Sequence, residues 1–346
     1  MPTNPALITL YSCDPSGCPA YLVDRQYPQY SSVQNLMPGD GFNRYNSFQM
    51  KFEKRYSQGL NLIVAYTIQK NIESPNLALM AAGALYPTTV GGRGLGRVGA
   101  SPPSGGNEED PDDRNRYIAL APDDIPQILN LAGTYELPFG GGKPFFNRGG
   151  VVGKIVSGWK LTQNWNFQRG VPMGFSGPCN AISCTPNLLG DPSRGRASKS
   201  LPQRENQWYD PTAFEAPFGS DPAVIQGIST GYNPDGTPFD YNSDPYWTFG
   251  NAGREISTGR APGFWNSDLA LARDLHLTES RYFEFRWETL NAFNHQNLGI
   301  PSTYWCLPPN PDGSVDAVHQ FGCQFGKITS IQTDPRAMEF GLRFYW

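Results

Sequence analysis

Bulky apolar residues recur at every second position in seven separate segments of this chain, and a period of two dictates β-strand rather than helix. The last segment, "MEFGLRFYW", sets Met338, Phe340, Leu342, Phe344 and Trp346 against Glu339, Gly341, Arg343 and Tyr345. "YNSFQMKFEKRYS" sets Phe48, Met50 and Phe52 against Gln49, Lys51, Glu53 and Arg55. "RYFEFRWETLNAF" sets Phe283, Phe285 and Trp287 against Glu284, Arg286 and Glu288. The other four are "GLNLIVAYTIQK", "ILNLAGTYELPF", "GWKLTQNWNFQRG" and "WNSDLALARDLHL". Each is about ten residues, the length a tilted strand needs to cross a bilayer. A soluble sheet with one solvated face shows the same alternation, so the period alone leaves both environments open.

Three further features favour the membrane. Aromatic residues gather near segment ends, at Tyr45, Tyr56, Trp159, Trp265, Phe283, Phe293 and Trp346, as in the girdles at the two faces of a bilayer. The connections alternate in length. "SQG" and "TES" are tight hairpins, whereas the stretches 71–124, 170–262 and 294–335 are long. Short periplasmic turns and long extracellular loops are the asymmetry of bacterial barrels. The stretch "FGGGKPFFNRGGVVGKIVS" at 139–157 falls on the periplasmic side yet is too long for a turn. With this orientation all six cysteines lie outside the cell, which is the third feature. The expected fold is therefore all-β: an antiparallel, up-and-down transmembrane β-barrel segment of about seven long strands. Residues 1–42 are expected as an extracellular loop region and 43–346 as the barrel portion.

Composition bounds the function. Hydrophobic residues make up 38% of the 346, and no run of about 18 apolar residues marks a transmembrane helix. A net charge of −4 gives no reason to expect a nucleic-acid partner. The 38 glycines and 32 prolines predict many turns, long irregular loops and few helices. Cys13 and Cys18, like Cys179 and Cys184, are spaced C-x4-C, with Cys306 and Cys323 further apart. The usual zinc spacing is absent. Local bridges Cys13–Cys18 and Cys179–Cys184, and Cys306–Cys323 closing the last loop, fit an oxidising compartment. "MPTNPALITLY" has no signal-peptide pattern, so a piece of a longer exported protein is expected.

No motif points to catalysis, a metal or a cofactor. "GLGRVG" at 94–99 matches a dinucleotide pattern, but "ASPPSGG" follows it and cannot form the required helix. The acidic run "EEDPDD" fits no calcium loop. The two "NPDG" stretches, at 233–236 and 310–313, are turn chemistry. The three histidines, His276, His295 and His319, show no triad spacing.

"YNSFQMKFEKRYSQGLNLIVAYTIQKNIE", "YELPFGGGKPFFNRGG", "SGWKLTQNWNFQRGVP", "ESRYFEFRWETLNAFNHQNLGIP" and "DPRAMEFGLRFYW" together resemble the C-terminal half of Oar-like TonB-dependent receptors. The resemblance runs from about residue 28 to the last residue. It implies a 22-stranded outer-membrane barrel with an N-terminal plug, opened by TonB, taking up a solute that this sequence does not name. Seven strands cannot close such a barrel, so the chain looks like its last third, inactive on its own. Lys51, Glu53, Arg55, Glu284, Arg286 and Glu288 would then face the lumen. Met338, Phe340, Leu342, Phe344 and Trp346 would form the signal read by the barrel assembly machinery. The implied partners are outer-membrane lipid, that machinery, TonB through the missing part, and the solute. The competing expectation is a secreted carbohydrate-binding or adhesive β domain, in which aromatics of "QWYDPTAF" and "DYNSDPYWTF" stack on sugars.

Overall fold

A computed structural model describes residues 42–74, 89–90, 93–94, 118–147, 150–180, 183–240, 248–278 and 281–346. Seven long strands appear where the alternation places them: β1 (Asn43–Ser57), β2 (Leu60–Glu73), β3 (Gln127–Glu136), β4 (Trp159–Gln168), β5 (Phe264–His276), β6 (Tyr282–Leu290) and β7 (Ala337–Tyr345). They pair antiparallel in sequence order, with a two-residue strand, Ala119–Leu120, added beside the end of β2. This is the expected meander. Its two edges, β1 and β7, pair with no strand among the described residues, so the sheet is open. The hairpin between β1 and β2 turns on Gln58 (φ 54°) and Gly59 (φ 78°). Positive φ at both central residues is the turn whose twist matches the flanking strands.

Register converts the period into faces. Directly opposed residues share a face, and the apolar sets meet from one edge to the other. Phe48 opposes Ile68, Tyr66 opposes Leu129, and Leu129 opposes Phe167. Phe167 in turn opposes Trp265, Leu271 opposes Trp287, and Trp287 opposes Phe340. Phe283, Phe285 and Trp287 lie on this face and Glu284, Arg286 and Glu288 on the other, as the alternation requires.

The long connections are largely irregular, with few helices, as expected, yet they are packed rather than loose. The β4–β5 and β6–β7 connections pack into a cap with its own apolar core. Met173, Phe175, Tyr209, Phe214, Trp305 and Phe325 are buried there. Phe175 sits 4.8 Å from Tyr209 and 4.7 Å from Phe214, ring centre to ring centre. Burying each such aromatic contributes roughly 1.5–3 kcal/mol, which offsets the entropy lost in ordering long glycine-rich and proline-rich segments. Among the described residues three short α-helices occur: α1 (Gly150–Val156), α2 (Leu201–Asn206) and α3 (Pro222–Thr230). The last starts on Asp221, whose side chain accepts from the Ala223 N–H, and stops at Gly231 in the left-handed conformation. Those are ordinary start and stop signals, overlooked because the segment is short and flanked by turns.

Two disulfides join the cap. Cys179–Cys184 has its Cα atoms 4.0 Å apart, and Cys306–Cys323 has them 5.8 Å apart. Both are the pairings expected from spacing. Cys13 and Cys18 lie outside the described residues.

Candidate functional site

Two surfaces and one junction carry the molecule's chemistry. The first surface is the apolar face of the sheet. Phe48 is 63% exposed, Phe340 69% and Trp346 88%. A contiguous apolar face of this size left bare calls for a partner environment. At its loop end Trp165, Phe167, Trp265 and Phe293 form one cluster. Their ring centres lie 5.3 Å apart for Trp165–Phe293 and 6.0 Å for Phe167–Trp265. His295 stacks on Trp265 at 4.1 Å, and burial holds its imidazole below its usual pKa. At the turn end Phe283 packs on Phe344 at 4.7 Å, and Trp159 meets Phe285 edge-on at 5.8 Å. Two residues expected in the girdles lie elsewhere. Tyr45 opposes Asn71 on the polar face and donates to the Gln69 side chain at 2.7 Å. Tyr56 lies against the Glu136 carboxylate. A tyrosine carries its own hydrogen-bonding tip, so segment-end position alone does not choose its face.

The second surface is the opposite face. Lys51 pairs with Glu53 at 2.9 Å, Lys160 with Asp274 at 3.5 Å, and Arg286 with Glu288. The Tyr345 hydroxyl donates to Glu284 at 2.9 Å, and Asn166 donates to Asn130 at 2.7 Å. Glu288 directly opposes Glu339, a like-charge pair that the neighbouring Arg286 offsets. Arg55 falls where the β1–β2 register shifts, between Lys54 and Ser57. Strict alternation therefore does not assign it a face.

One buried charge sits in the middle of the apolar face's leucine row, where the alternation calls for a leucine. Arg273 opposes Trp159 and Phe285, between Leu271 and Leu275. It is buried, its guanidinium lies 5.5 Å from the Trp159 ring centre, and it donates to the Ile155 carbonyl. The Trp159 indole donates to the same carbonyl at 3.1 Å. Helix α1 is thus tied onto the end of β4 and β5, and this explains why 139–157 exceeds a turn: it is a folded strap.

The junction fastens the cap to the strand ends. Both terminal nitrogens of Arg254 donate to Glu73 Oε1 at 3.0 Å in a buried contact. Arg260 binds the Asp124 carboxylate at 2.6 Å, with the Asp124 and Gly170 carbonyls at 2.8 and 3.0 Å. Asn297 makes a paired contact with the Trp265 backbone, accepting at 2.9 Å and donating at 2.8 Å. Sequence reasoning missed all three. Their partners lie up to 181 residues apart, and nothing local marks them.

The structure locates the remaining motifs of the described chain. Trp208 and Tyr209 of "QWYDPTAF" are structural, not sugar-stacking. Trp208 donates to the Arg260 carbonyl at 2.8 Å under the Arg196 guanidinium, 4.5 Å from the ring. Tyr209 is fully buried, and burial pushes its phenol well above its usual pKa. Most of "DYNSDPYWTF", the acidic run and "GLGRVG" beyond Gly94 lie outside the described residues. Both "NPDG" stretches are turns: Asp235 accepts from the Thr237 hydroxyl and Asp312 from the Ser314 hydroxyl, each at 2.6 Å. Those bonds lower both carboxyl pKa values. Among the described residues no group of three potential ligands is placed to hold a metal.

A family model described as an outer membrane beta barrel domain matches residues 3–339. The chain belongs to that outer membrane β-barrel family. No curated protein and no solved structure matches it. Membership explains the bare apolar face, which in this family meets lipid, and places the protein in the bacterial outer membrane. No helix among the described residues is long and apolar enough to cross a bilayer; the strands do the crossing. A secreted adhesive domain is set aside.

Proposed function

We propose that this outer-membrane chain is the C-terminal barrel portion of a TonB-dependent receptor taking up a solute. Its charged face lines the lumen and its cap is the extracellular ligand-gathering surface. The observation that carries the reading is the pair of edges, on β1 and β7, that no strand among the described residues covers. Within hydrocarbon every backbone group needs a partner, so lipid does not tolerate an open sheet edge. Further strands must therefore close the wall. The charges supported on the polar face, Lys51, Glu53, Glu284, Arg286 and Glu288, suit a wide water-filled or plug-filled interior rather than a small packed barrel. The resemblance to Oar-like receptors supplies the plug and the TonB coupling. No catalysis is assigned.

In the same proposal Met338, Phe340, Leu342, Phe344 and Trp346 form the strand read by the assembly machinery. The test is split assembly: this chain is co-expressed with the plug and remaining strands of an Oar-like receptor in a Gram-negative host. Heat-modifiable barrel that forms only with both pieces, with uptake that depends on TonB, is the expected result. A heat-modifiable barrel formed by the chain alone, unchanged by the second piece, overturns the reading.

A further inference from the structure

The register assigns every charged strand residue to a face, and the signs are segregated. All strand carboxylates, from Glu53 on β1 to Glu339 on β7, lie on the polar face. The apolar face carries cations only. Arg273 is used internally, by the Ile155 carbonyl. Lys54, opposite Leu62, is half-buried at the turn end, and three others are exposed along the margin at the loop end: Arg44, Lys70 and Arg169. Lys70 opposes Asn46 and Arg44 opposes Ile72, each just beyond the apolar Phe48–Ile68 pair. Arg169 stands two residues beyond Phe167, its N–H donating to the Gln127 carbonyl at 3.1 Å and its Nε to the Gln127 side chain at 3.4 Å. The three thus lie on β1, on β2 and just past the end of β4, with β3 contributing Gln127 between them. None forms an ion pair with a described residue.

Their height on the wall fits a headgroup layer. From Leu60 to Lys70 is ten residue steps, about 33 Å along a strand at ~3.3 Å per residue. Tilted by about 40°, that is roughly 25 Å along the membrane normal, the height of the lipid-facing band of such barrels. Cations beside hydrocarbon with no counter-charge are costly, and charge of the other sign at that depth is carried by lipid phosphate. A soluble anion would not need the apolar surface beneath. An amphiphile with acyl chains below and phosphate above matches both parts.

We propose that Arg44, Lys70 and Arg169 form a binding edge for the phosphorylated headgroup of the outer-leaflet glycolipid, whose acyl chains lie on Phe48, Tyr66, Ile68 and Phe167. The leaflet follows from the orientation used above, in which the long connections are extracellular. The test uses protein purified from outer membranes in mild detergent, with three lipid probes read by native mass spectrometry. These are diphosphorylated lipid A, its dephosphorylated form, and phosphatidylglycerol. Wild type should prefer the diphosphorylated glycolipid. Affinity should fall about five-fold for each cation changed to glutamine, while the R44K/K70R/R169K variant keeps it. Changing Lys143, Arg194 and Lys327 to glutamine, an equal change in net charge elsewhere, should leave binding intact. If the triple glutamine variant fails to show heat-modifiable barrel, the single variants carry the measurement. Unchanged binding in the glutamine variants, equal binding of the dephosphorylated lipid, or equal loss in the control variant each overturns the proposal. Preference for phosphatidylglycerol also overturns it and reverses the orientation, while leaving the membrane barrel standing.

Discussion

Single residues decide how the strap and the last strand behave. Arg273 is the buried cation of the lipid-facing side, held by the Ile155 carbonyl and the Trp159 ring. Arg273→Ala leaves that carbonyl with the Trp159 indole alone. It should destabilise the sheet by about 1–3 kcal/mol, read as a lower midpoint of heat modification. No change would mean the contact is incidental. Asp316 in the cap answers to pH. Burial alone raises its carboxyl pKa, but bonds from the His319 N–H and imidazole, the latter at 2.8 Å, and from the Val318 N–H outweigh it and leave the pKa lowered. A group with a lowered folded-state pKa stabilises above its unfolded value, and that contribution disappears as pH falls through the folded value. Amide exchange around Val318 and His319 should therefore rise on acidification through the carboxylate range, and Asp316→Asn should abolish that dependence. For the proposed assembly signal, Trp346→Ala should lower barrel levels in outer membranes far more than Leu271→Ala in mid-sheet. The folded-state loss for an exposed interfacial ring stays below about 2–3 kcal/mol. Equal losses for both substitutions would make Trp346 a packing residue only.

Elements differ in what holds them. The strands are held by ladders and by cross-strand pairs on two faces. The cap is held by a small aromatic core and two disulfides. Phe175→Ala removes the ring that touches Tyr209, Phe214 and Phe325. It should cost about 3–5 kcal/mol, confined to the cap. Limited proteolysis should then cut between β4 and β5 while β1 to β3 stay protected; cleavage spread through the strands would show that cap and sheet fold as one. Pairing between β6 and β7 is weakened by Glu288 facing Glu339. Glu339→Gln should strengthen it by roughly 0.2–1 kcal/mol.

At the scale of the whole molecule, sidedness is the consequence. Cap and strap sit at opposite ends of the same sheet. Lys327 is an exposed cap residue, and Lys143 lies in the strap, bonded to Glu136 at 3.4 Å. In intact cells an impermeant amine reagent should modify Lys327 and spare Lys143, and lysis should expose both. The reverse pattern would turn the barrel over.

The alternation of apolar and polar residues by itself determined the seven strands, their faces and their order. A period of two leaves no other secondary structure, and short turns such as Gln58–Gly59 force consecutive strands to pair. Local spacing likewise determined the pairing of Cys179 with Cys184. Tertiary structure alone decided the rest. Tyr45 and Trp208 look like interfacial or ligand-stacking aromatics in the sequence, yet their tips are taken by Gln69 and the Arg260 carbonyl. Arg273 reads as an interruption of a leucine face until helix α1 supplies its partner. Glu73 and Arg254, or Asp124 and Arg260, meet only after the chain has crossed the wall several times. Contacts between residues far apart in sequence leave no period to read, because burial and pairing depend on what the rest of the chain brings to the same place.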